Sequence, residues 1–192
     1  MKGQISKIYS KTKTGIITCE NGKKYEFDEK SLVSGVRFGD VFELMDMEFA
    51  TQKQNNGKIT AVNCRPIENE CVSFFKEYVL DLNMRKEDYD TFCDYAMKYA
   101  ERLKSAQVTT SMIRKIYARI LKSDKVTDIK FLRPQFAYTS GRNEKNYILR
   151  EFMDLLDFLA KQMELDNKQH LVNYKQFMEA IVAYRKYVGK DI

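Results

Sequence analysis

Proline, glycine and histidine are scarce in this chain of 192 residues, which contains two prolines, eight glycines and one histidine. Few prolines and glycines argue against a long disordered segment, because such segments are usually enriched in both. A single histidine weakens most hydrolytic schemes, in which histidine is the commonest base. With 44% hydrophobic and 31% charged residues, the chain is expected to be soluble and globular.

The cysteines do not form the pattern of a metal site. Cys19, Cys64, Cys71 and Cys93 are irregularly spaced, no C-x-x-C pair occurs, and His170 lies far from all four in sequence. Zinc sites normally bring their ligands together in closely spaced pairs. We therefore expect four reduced cysteines, no metal and no other cofactor.

Long apolar runs are also missing. No segment is apolar over the roughly 18 residues that a membrane-spanning helix needs, and no apolar run follows the charges of residues 1–7 as in a signal peptide. These absences predict a cytoplasmic protein that makes no contact with a membrane.

Positive charge, in contrast, is concentrated in one part of the chain. Between Lys98 and Lys145 there are 12 lysines and arginines against four acids, a local charge of +8 that exceeds the net +6 of the whole chain. The flanking segments together are therefore slightly acidic. A basic block between such neighbours favours a polyanionic partner, and nucleic acid is the first candidate.

Residues 1–66 alternate between apolar and polar side chains and carry hairpin signals. The pattern predicts five short strands, around Ile5 and Ile8 and at Gly15–Cys19, Lys24–Phe27, Val41–Leu44 and Ile59–Val62. Asn21-Gly22 predicts a type I′ turn between the second and third strands. Five strands in about 60 residues are typical of a small Greek-key barrel of the OB type.

The order of these segments resembles a cold-shock domain. Lys2–Ile5 opens the likeness, Lys13–Ile17 stands at the first RNA-binding motif, and Tyr25–Asp28 leads into the second. Cold-shock domains place aromatic side chains on both sides of the motif glycine, where this chain has Thr14 and Ile16. The resemblance thus implies the fold more strongly than the RNA-binding surface.

The role of the barrel in RNA binding stays open. Glu29 stands at or near the position of the cold-shock histidine, and stacking platforms worth about 1–3 kcal/mol per base are mostly missing. Lys13, Tyr25 and Phe27 remain as possible RNA contacts, with Tyr9 as a further aromatic. The alternative is a barrel that serves for docking or as a spacer.

Beyond Arg65-Pro66 the periodicity becomes helical, because apolar residues recur at spacings of three and four. Four stripes are expected to form the interior of a bundle: Cys71 to Val79, Tyr89 to Leu103, Phe152 to Met163 and Phe177 to Tyr187. The sequence therefore predicts two domains, an all-β OB or cold-shock-like barrel over 1–66 and an all-α helical bundle over 67–192.

A third helix carries the clearest basic face. The hydroxyls of residues 109–111 are suited to cap its first turn. Its predicted buried stripe consists of Ile113, Ile116, Tyr117, Ile120 and Leu121. At about 100° per residue, Lys115, Arg119 and Lys122 share the opposite face, with Arg114 toward its edge. No acid lies between 109 and 122, so phosphate contact is favoured over a solvated helix face, which commonly mixes both signs.

The fourth helical segment, Val126 to Ala137, meets Pro134, which predicts a kink or a new helix start. Gly141 predicts a left-handed turn that ends the helix. Arg133, Arg142 and Lys145 would then lie near one bend. Arg133 has an alternative role, in which it caps carbonyls or pairs with an acid elsewhere in the fold.

Three segments in order resemble the small helical subunit of type III-A CRISPR effector complexes. They match a T-[ST]-x-I-R helix start, an L-R-P-x-x-A-Y-x-x-G-R element and an E-A-I-V-A-Y helix, at Thr109–Ile116, Leu132–Arg142 and Phe177–Lys186. The resemblance implies a non-catalytic protein that packs in several copies beside a guide RNA and its target RNA, while other effector subunits carry the catalysis. Its implied RNA-backbone contacts are Arg114, Lys115, Arg119, Lys122, Arg133, Arg142 and Lys145.

Two other functions stay open. The first is a free-standing RNA chaperone or regulator in which the barrel binds RNA and the helices dimerise. The second is an enzyme in which Asp154 and Asp157, one helical turn apart, hold a metal. No P-loop, glycine-rich fingerprint or clustered Ser/His/Asp set accompanies that pair, so catalysis is the least favoured of the three.

Overall fold

The computed structural model describes residues 1–82 and 86–189. The chain divides into two compact units, Met1–Asn69 and Glu70–Ile192. Parts of the predicted bundle at 83–85 and 190–192 lie outside the described residues. The two units are described separately below.

The first unit is a closed five-stranded barrel. Its strands are β1 Lys2–Tyr9, β2 Thr14–Thr18, β3 Lys24–Asp28, β4 Asp46–Lys53 and β5 Ile59–Pro66. They are hydrogen-bonded in the order β1-β2-β3-β5-β4, and β1 also pairs with β4 to close the barrel. The β3–β5 pair is parallel and the other pairs are antiparallel. The predicted OB-like barrel is confirmed.

All five strands contribute apolar side chains to the barrel interior. Ile5, Ile17, Phe27 and Met47 are nearly or fully buried. Gly15 lies under the ring of Phe27, and a Cβ built there would approach the ring carbon Cε1 to 2.5 Å. The glycine of the cold-shock-like motif is therefore required for packing.

The predicted fourth strand at 41–44 is wrong. The strand begins later, at Asp46, because Leu44 adopts a positive φ of 73°. The predicted type I′ turn is also wrong. Such a turn needs a positive φ at both central residues, whereas Gly22 has φ 76° and Asn21 is not in the left-handed region.

The second unit is helical throughout its described length. Its helices are α1 Glu70–Tyr78, α2 Lys86–Ser105, α3 Thr110–Leu121, α4 Val126–Phe131, α5 Arg133–Arg142, α6 Tyr147–Gln162 and α7 Lys168–Tyr187. Helices α2 and α3 pack against α7, and α5 packs against α6. The predicted succession of barrel and helical bundle is confirmed. Of the described helices, none combines the length and apolar character that crossing a bilayer demands.

The apolar stripes are core along most of their length and exposed at some ends. Tyr99, Phe152 and Phe177 are fully buried. Leu121 at the end of α3 is 48% exposed and Tyr187 at the end of α7 is 79% exposed, so their predicted burial is wrong. Each stands in the last turn of its helix, where the stripe runs past the neighbouring helices.

The segment around Pro134 forms two short helices. Helix α4 ends at Phe131, and α5 begins at Arg133 with Pro134 in its first turn, where no intrahelical N–H is needed. The predicted left-handed turn at Gly141 is wrong, because α5 continues through it to Arg142. Asn143 ends the helix instead, and its Nδ2 donates to the Thr139 carbonyl at 2.8 Å.

Candidate nucleic-acid interface

Helix α3 presents the predicted basic stripe to solvent. The Thr109 hydroxyl caps the helix by accepting a hydrogen bond from the Met112 amide at 3.2 Å. Three isoleucines on the inner face are buried: Ile113, Ile116 and Ile120. Because this face packs inward, the cations on the opposite face point outward. The stripe is exposed at all three positions, Lys115, Arg119 and Lys122.

A groove lies between α3 and α5, and cations from both helices line it. Lys115 and Arg119 come from α3, and Arg142 comes from α5. A guanidinium nitrogen of Arg119 donates to Gln135 Oε1 at 2.9 Å, which ties the arginine head to the α5 side of the groove. The fold thus brings together three positive charges that are separated by up to 27 positions in sequence.

Tyr138 lies in the same groove as an exposed aromatic residue. It is 58% exposed, and Arg142 one helical turn later places its guanidinium carbon 5.7 Å from the ring centroid. A nitrogen of Arg142 also donates to the Tyr138 hydroxyl at 3.4 Å. The groove therefore offers an aromatic ring beside its cations.

These groove cations are not neutralised by the described acids. Ion pairs in the described helical residues engage other cations, including Lys98, Arg102, Arg133 and Lys161. In the part of the chain that the structure describes, no carboxylate pairs with Lys115, Arg119 or Arg142. The groove is a positive surface available to an anionic ligand.

Arg133 occupies a different surface from Arg142. Its Nε donates to Asp157 Oδ1 at 2.7 Å, and Lys161 reaches the other carboxylate oxygen at 2.8 Å. Burial raises the pKa of Asp157, but the hydrogen bonds from Arg133 and Lys161 outweigh it and hold that pKa below its usual value. The pairing with an acid that the sequence left open for Arg133 is what the structure contains.

The other predicted RNA contacts are exposed but lie apart from the groove lining. Arg114 is on the edge of α3, Lys122 follows its last residue, and Lys145 is in the connection between α5 and α6. None of the three is among the described residues that line the groove. The structure thus brings together three of the seven predicted helical contacts.

The barrel residues predicted as possible RNA contacts are mostly engaged elsewhere. Phe27 is only 2% exposed, so its ring is not at the surface, which corrects the expectation for this residue. Tyr25 is half-buried and packs on Phe49 with ring centroids 5.4 Å apart. Both point inward because residues two apart on a strand share a face. Lys13 is exposed and pairs with Glu29 at 2.8 Å.

The two aspartates of the enzyme hypothesis differ in their surroundings. Asp157 is held by two cations, whereas burial raises the pKa of Asp154. Within residues 1–82 and 86–189, no three or more His, Cys, Asp and Glu side chains are grouped as they would be around a metal ion. A carboxylate pair with one member tied to Arg133 and Lys161 is poorly arranged to bind a cation.

Sequence reasoning did not select Tyr138, Gln135 or Asn143, which line the groove. The spacing of Tyr138 and Arg142 was the available signal, since residues four apart lie on one helix face. Gln135 and Asn143 carried no comparable signal, because only the packing of α5 beside α3 brings them to the cations.

Comparisons with known proteins bear on this helical unit. The family model described as Csm2 Type III-A matches residues 86–191. The CRISPR system Cms protein Csm2 of Streptococcus thermophilus is 32% identical over 95 residues, which cover 44% of this chain and 76% of that protein. The protein of the same name from Enterococcus italicus is 29% identical over 86 residues, or 40% of this chain and 59% of that protein. The chain belongs to the Csm2 Type III-A family and is thus a small subunit of a type III-A CRISPR complex.

Proposed function

We propose that this subunit is non-catalytic, binds the backbone of guide RNA and target RNA through the α3–α5 groove, and thereby stabilises the effector complex. The observation that carries the proposal is the convergence of Lys115, Arg119 and Arg142 on one groove. RNA phosphates supply the opposite charge, and contacts to them position a protein without reading sequence. Such contacts suit an RNA-guided complex, in which base pairing selects the target.

The shape of RNA supports contact from a helix-lined groove. The major groove of an A-form helix is too deep and narrow for side chains to read, so proteins contact its phosphates and 2′-hydroxyl groups. Exposed lysines and arginines at helical spacing can follow such a backbone. The partners in this proposal are the two RNA strands, other effector subunits and further copies of this chain.

The test is the salt dependence of RNA binding by the full chain. We expect the triple variant Lys115→Ala, Arg119→Ala, Arg142→Ala to weaken binding equally for RNAs of different sequence. The magnitude of the slope of log affinity against log salt should decrease by about 2 to 3, since each of the three phosphate contacts contributes about 0.7 to 0.9. In reconstituted complexes the same variant should reduce the number of copies retained, because RNA contact helps to hold them.

A second triple variant in the barrel provides the matched control. Lys7, Lys11 and Lys24 are exposed, and their replacement by alanine removes the same amount of charge. This control is expected to keep the salt slope of the parent chain. If the barrel triple lowered the slope and the groove triple did not, RNA binding would belong to the barrel, as in the chaperone alternative.

A further inference from the structure

Tyr138 differs by its surroundings from Phe131 and Tyr187, two exposed aromatic residues of the helical unit. Phe131 and Tyr187 are each 79% exposed, but neither lines the basic groove. Tyr138 is 58% exposed and stands between α3 and α5 with Arg119 and Arg142 beside it. An exposed ring contributes little to the core, so its position within the groove requires another explanation.

Arg142 contacts the ring from within the same helix. Arg142 lies over it with the guanidinium carbon 5.7 Å from the centroid and donates to its hydroxyl at 3.4 Å. A tyrosine has only two side-chain torsions to fix, and a contact within the same helix restricts them further. An exposed ring next to cations is the arrangement that binds an unstacked base while its phosphates are neutralised.

Polar groups for a base or ribose stand at the same place. Gln135 uses its Oε1 to accept from Arg119, which leaves its amide nitrogen as a donor. Asn143 uses its Nδ2 to donate to the Thr139 carbonyl, which leaves its Oδ1 as an acceptor. A base edge or a 2′-hydroxyl group presents the complementary acceptors and donors.

We infer that Tyr138 stacks on one unpaired or extruded RNA base whose flanking phosphates are held by Lys115, Arg119 and Arg142. This inference rests on the proposed RNA-backbone function and adds the kind of RNA that the groove prefers. A base inside a continuous A-form duplex is stacked on its neighbours and cannot reach the ring. The groove therefore prefers RNA with an unpaired nucleotide to an uninterrupted duplex.

The test compares Tyr138→Leu with Tyr138→Phe in the full chain. The probes are a short single-stranded RNA, the same strand with one abasic nucleotide at each position in turn, a continuous RNA duplex, and that duplex with one bulged nucleotide. We expect Tyr138→Leu to weaken binding to the single strand and the bulged duplex about tenfold, while Tyr138→Phe keeps the parent affinity. Binding to the continuous duplex and the salt slope should not change.

The abasic probes tie the effect to stacking. Removing the bound base should weaken binding by the parent chain about as much as Tyr138→Leu does, and it should weaken that variant no further. Tyr187→Leu is the matched control, and it should bind every probe like the parent chain. Far-UV circular dichroism checks that all variants keep their helices.

Three results would overturn the inference. Parent-like binding of Tyr138→Leu to the single strand, with the Lys115/Arg119/Arg142 triple variant still impaired, would leave backbone binding intact and exclude stacking. Equal losses on all probes would exclude a preference for unpaired bases. Equal losses in Tyr138→Leu and Tyr138→Phe would assign the contact to the hydroxyl group. If the triple variant also bound normally, the proposed function itself would fail.

Discussion

Arg102 and Glu151 form an ion pair inside the helical unit, where their side chains are only 7% and 22% exposed. The arginine on α2 donates through Nε to Oε1 at 3.1 Å and through a terminal nitrogen to Oε2 at 2.9 Å. The Tyr99 hydroxyl donates to the same Oε1 at 3.2 Å. The pair therefore joins α2 to α6 through three hydrogen bonds to one carboxylate.

We expect Glu151→Leu to lower the free energy of unfolding by about 3 kcal/mol. Removal of one partner from a buried pair costs about 3–5 kcal/mol, because the attraction between the two charges is lost while the remaining one stays largely buried. Because the Glu151 side chain is 22% exposed, we expect the loss of unfolding free energy to lie at the lower end of this range. The double variant Arg102→Met, Glu151→Leu removes both members of the pair, so we expect it to lose less stability than Glu151→Leu, with about 1 kcal/mol of its loss coming from the Tyr99 hydroxyl.

The measurement is urea unfolding followed by far-UV circular dichroism, which reports the helices. Glu70→Leu is the matched control, because it breaks the pair with Lys98 in which both side chains are 54% exposed. Exposed pairs contribute little, so this control should unfold near the parent midpoint. A double variant less stable than Glu151→Leu would refute the reasoning, since removal of the leftover buried charge should relieve part of the loss.

Two further predictions concern a packed glycine and a titrating carboxylate. Gly15→Ala should destabilise the barrel by about 1–3 kcal/mol through overpacking and lower its melting temperature, measured by near-UV circular dichroism. Gly39→Ala should not, because a Cβ there meets nothing within 4 Å. Equal melting temperatures of the two variants would contradict the packing argument. Because the pKa of Asp157 is lowered in the folded state, its stabilising contribution is present above the unfolded value near 4 and is lost as pH falls below it. Asp157→Asn should therefore reduce the loss of urea stability between neutral and acid pH; Asp166→Asn, which removes an exposed carboxylate, is the matched control.

Apolar spacings of two and of three to four residues predicted the barrel and the helical unit, respectively. The wrong predictions of local structure arose where one sequence pattern is compatible with two structures. Residues 41–44 alternate as strand β4 does at 46–53, and alternation alone cannot distinguish them. Leu44 adopts a positive φ before the strand begins, and a leucine in the sequence does not predict a positive φ. At Gly141 a left-handed turn was predicted because glycine tolerates a positive φ, but the residue lies within helix α5.

The candidate site was predictable within one helix but not between helices. Rotation of about 100° per residue placed Lys115 and Arg119 on one face of α3 without knowledge of the fold. Which cations of the next segment join them depends on how α5 packs. Arg133 and Arg142 were both expected near one bend, yet the first turns to Asp157 and the second lines the groove.

The spacing of the L-R-P-x-x-A-Y-x-x-G-R element explains this difference. Arg142 stands nine positions after Arg133 in sequence. At about 100° per residue this offset amounts to two and a half turns, which puts the two arginines on opposite sides of α5. One side holds α5 against α6 through the Arg133–Asp157 pair. The other side carries Tyr138 and Arg142, one turn apart, toward α3. Arg133 thus joins α5 to α6 while Tyr138 and Arg142 line the groove, so this short motif contributes both to the packing of α5 and to part of the proposed ligand contacts.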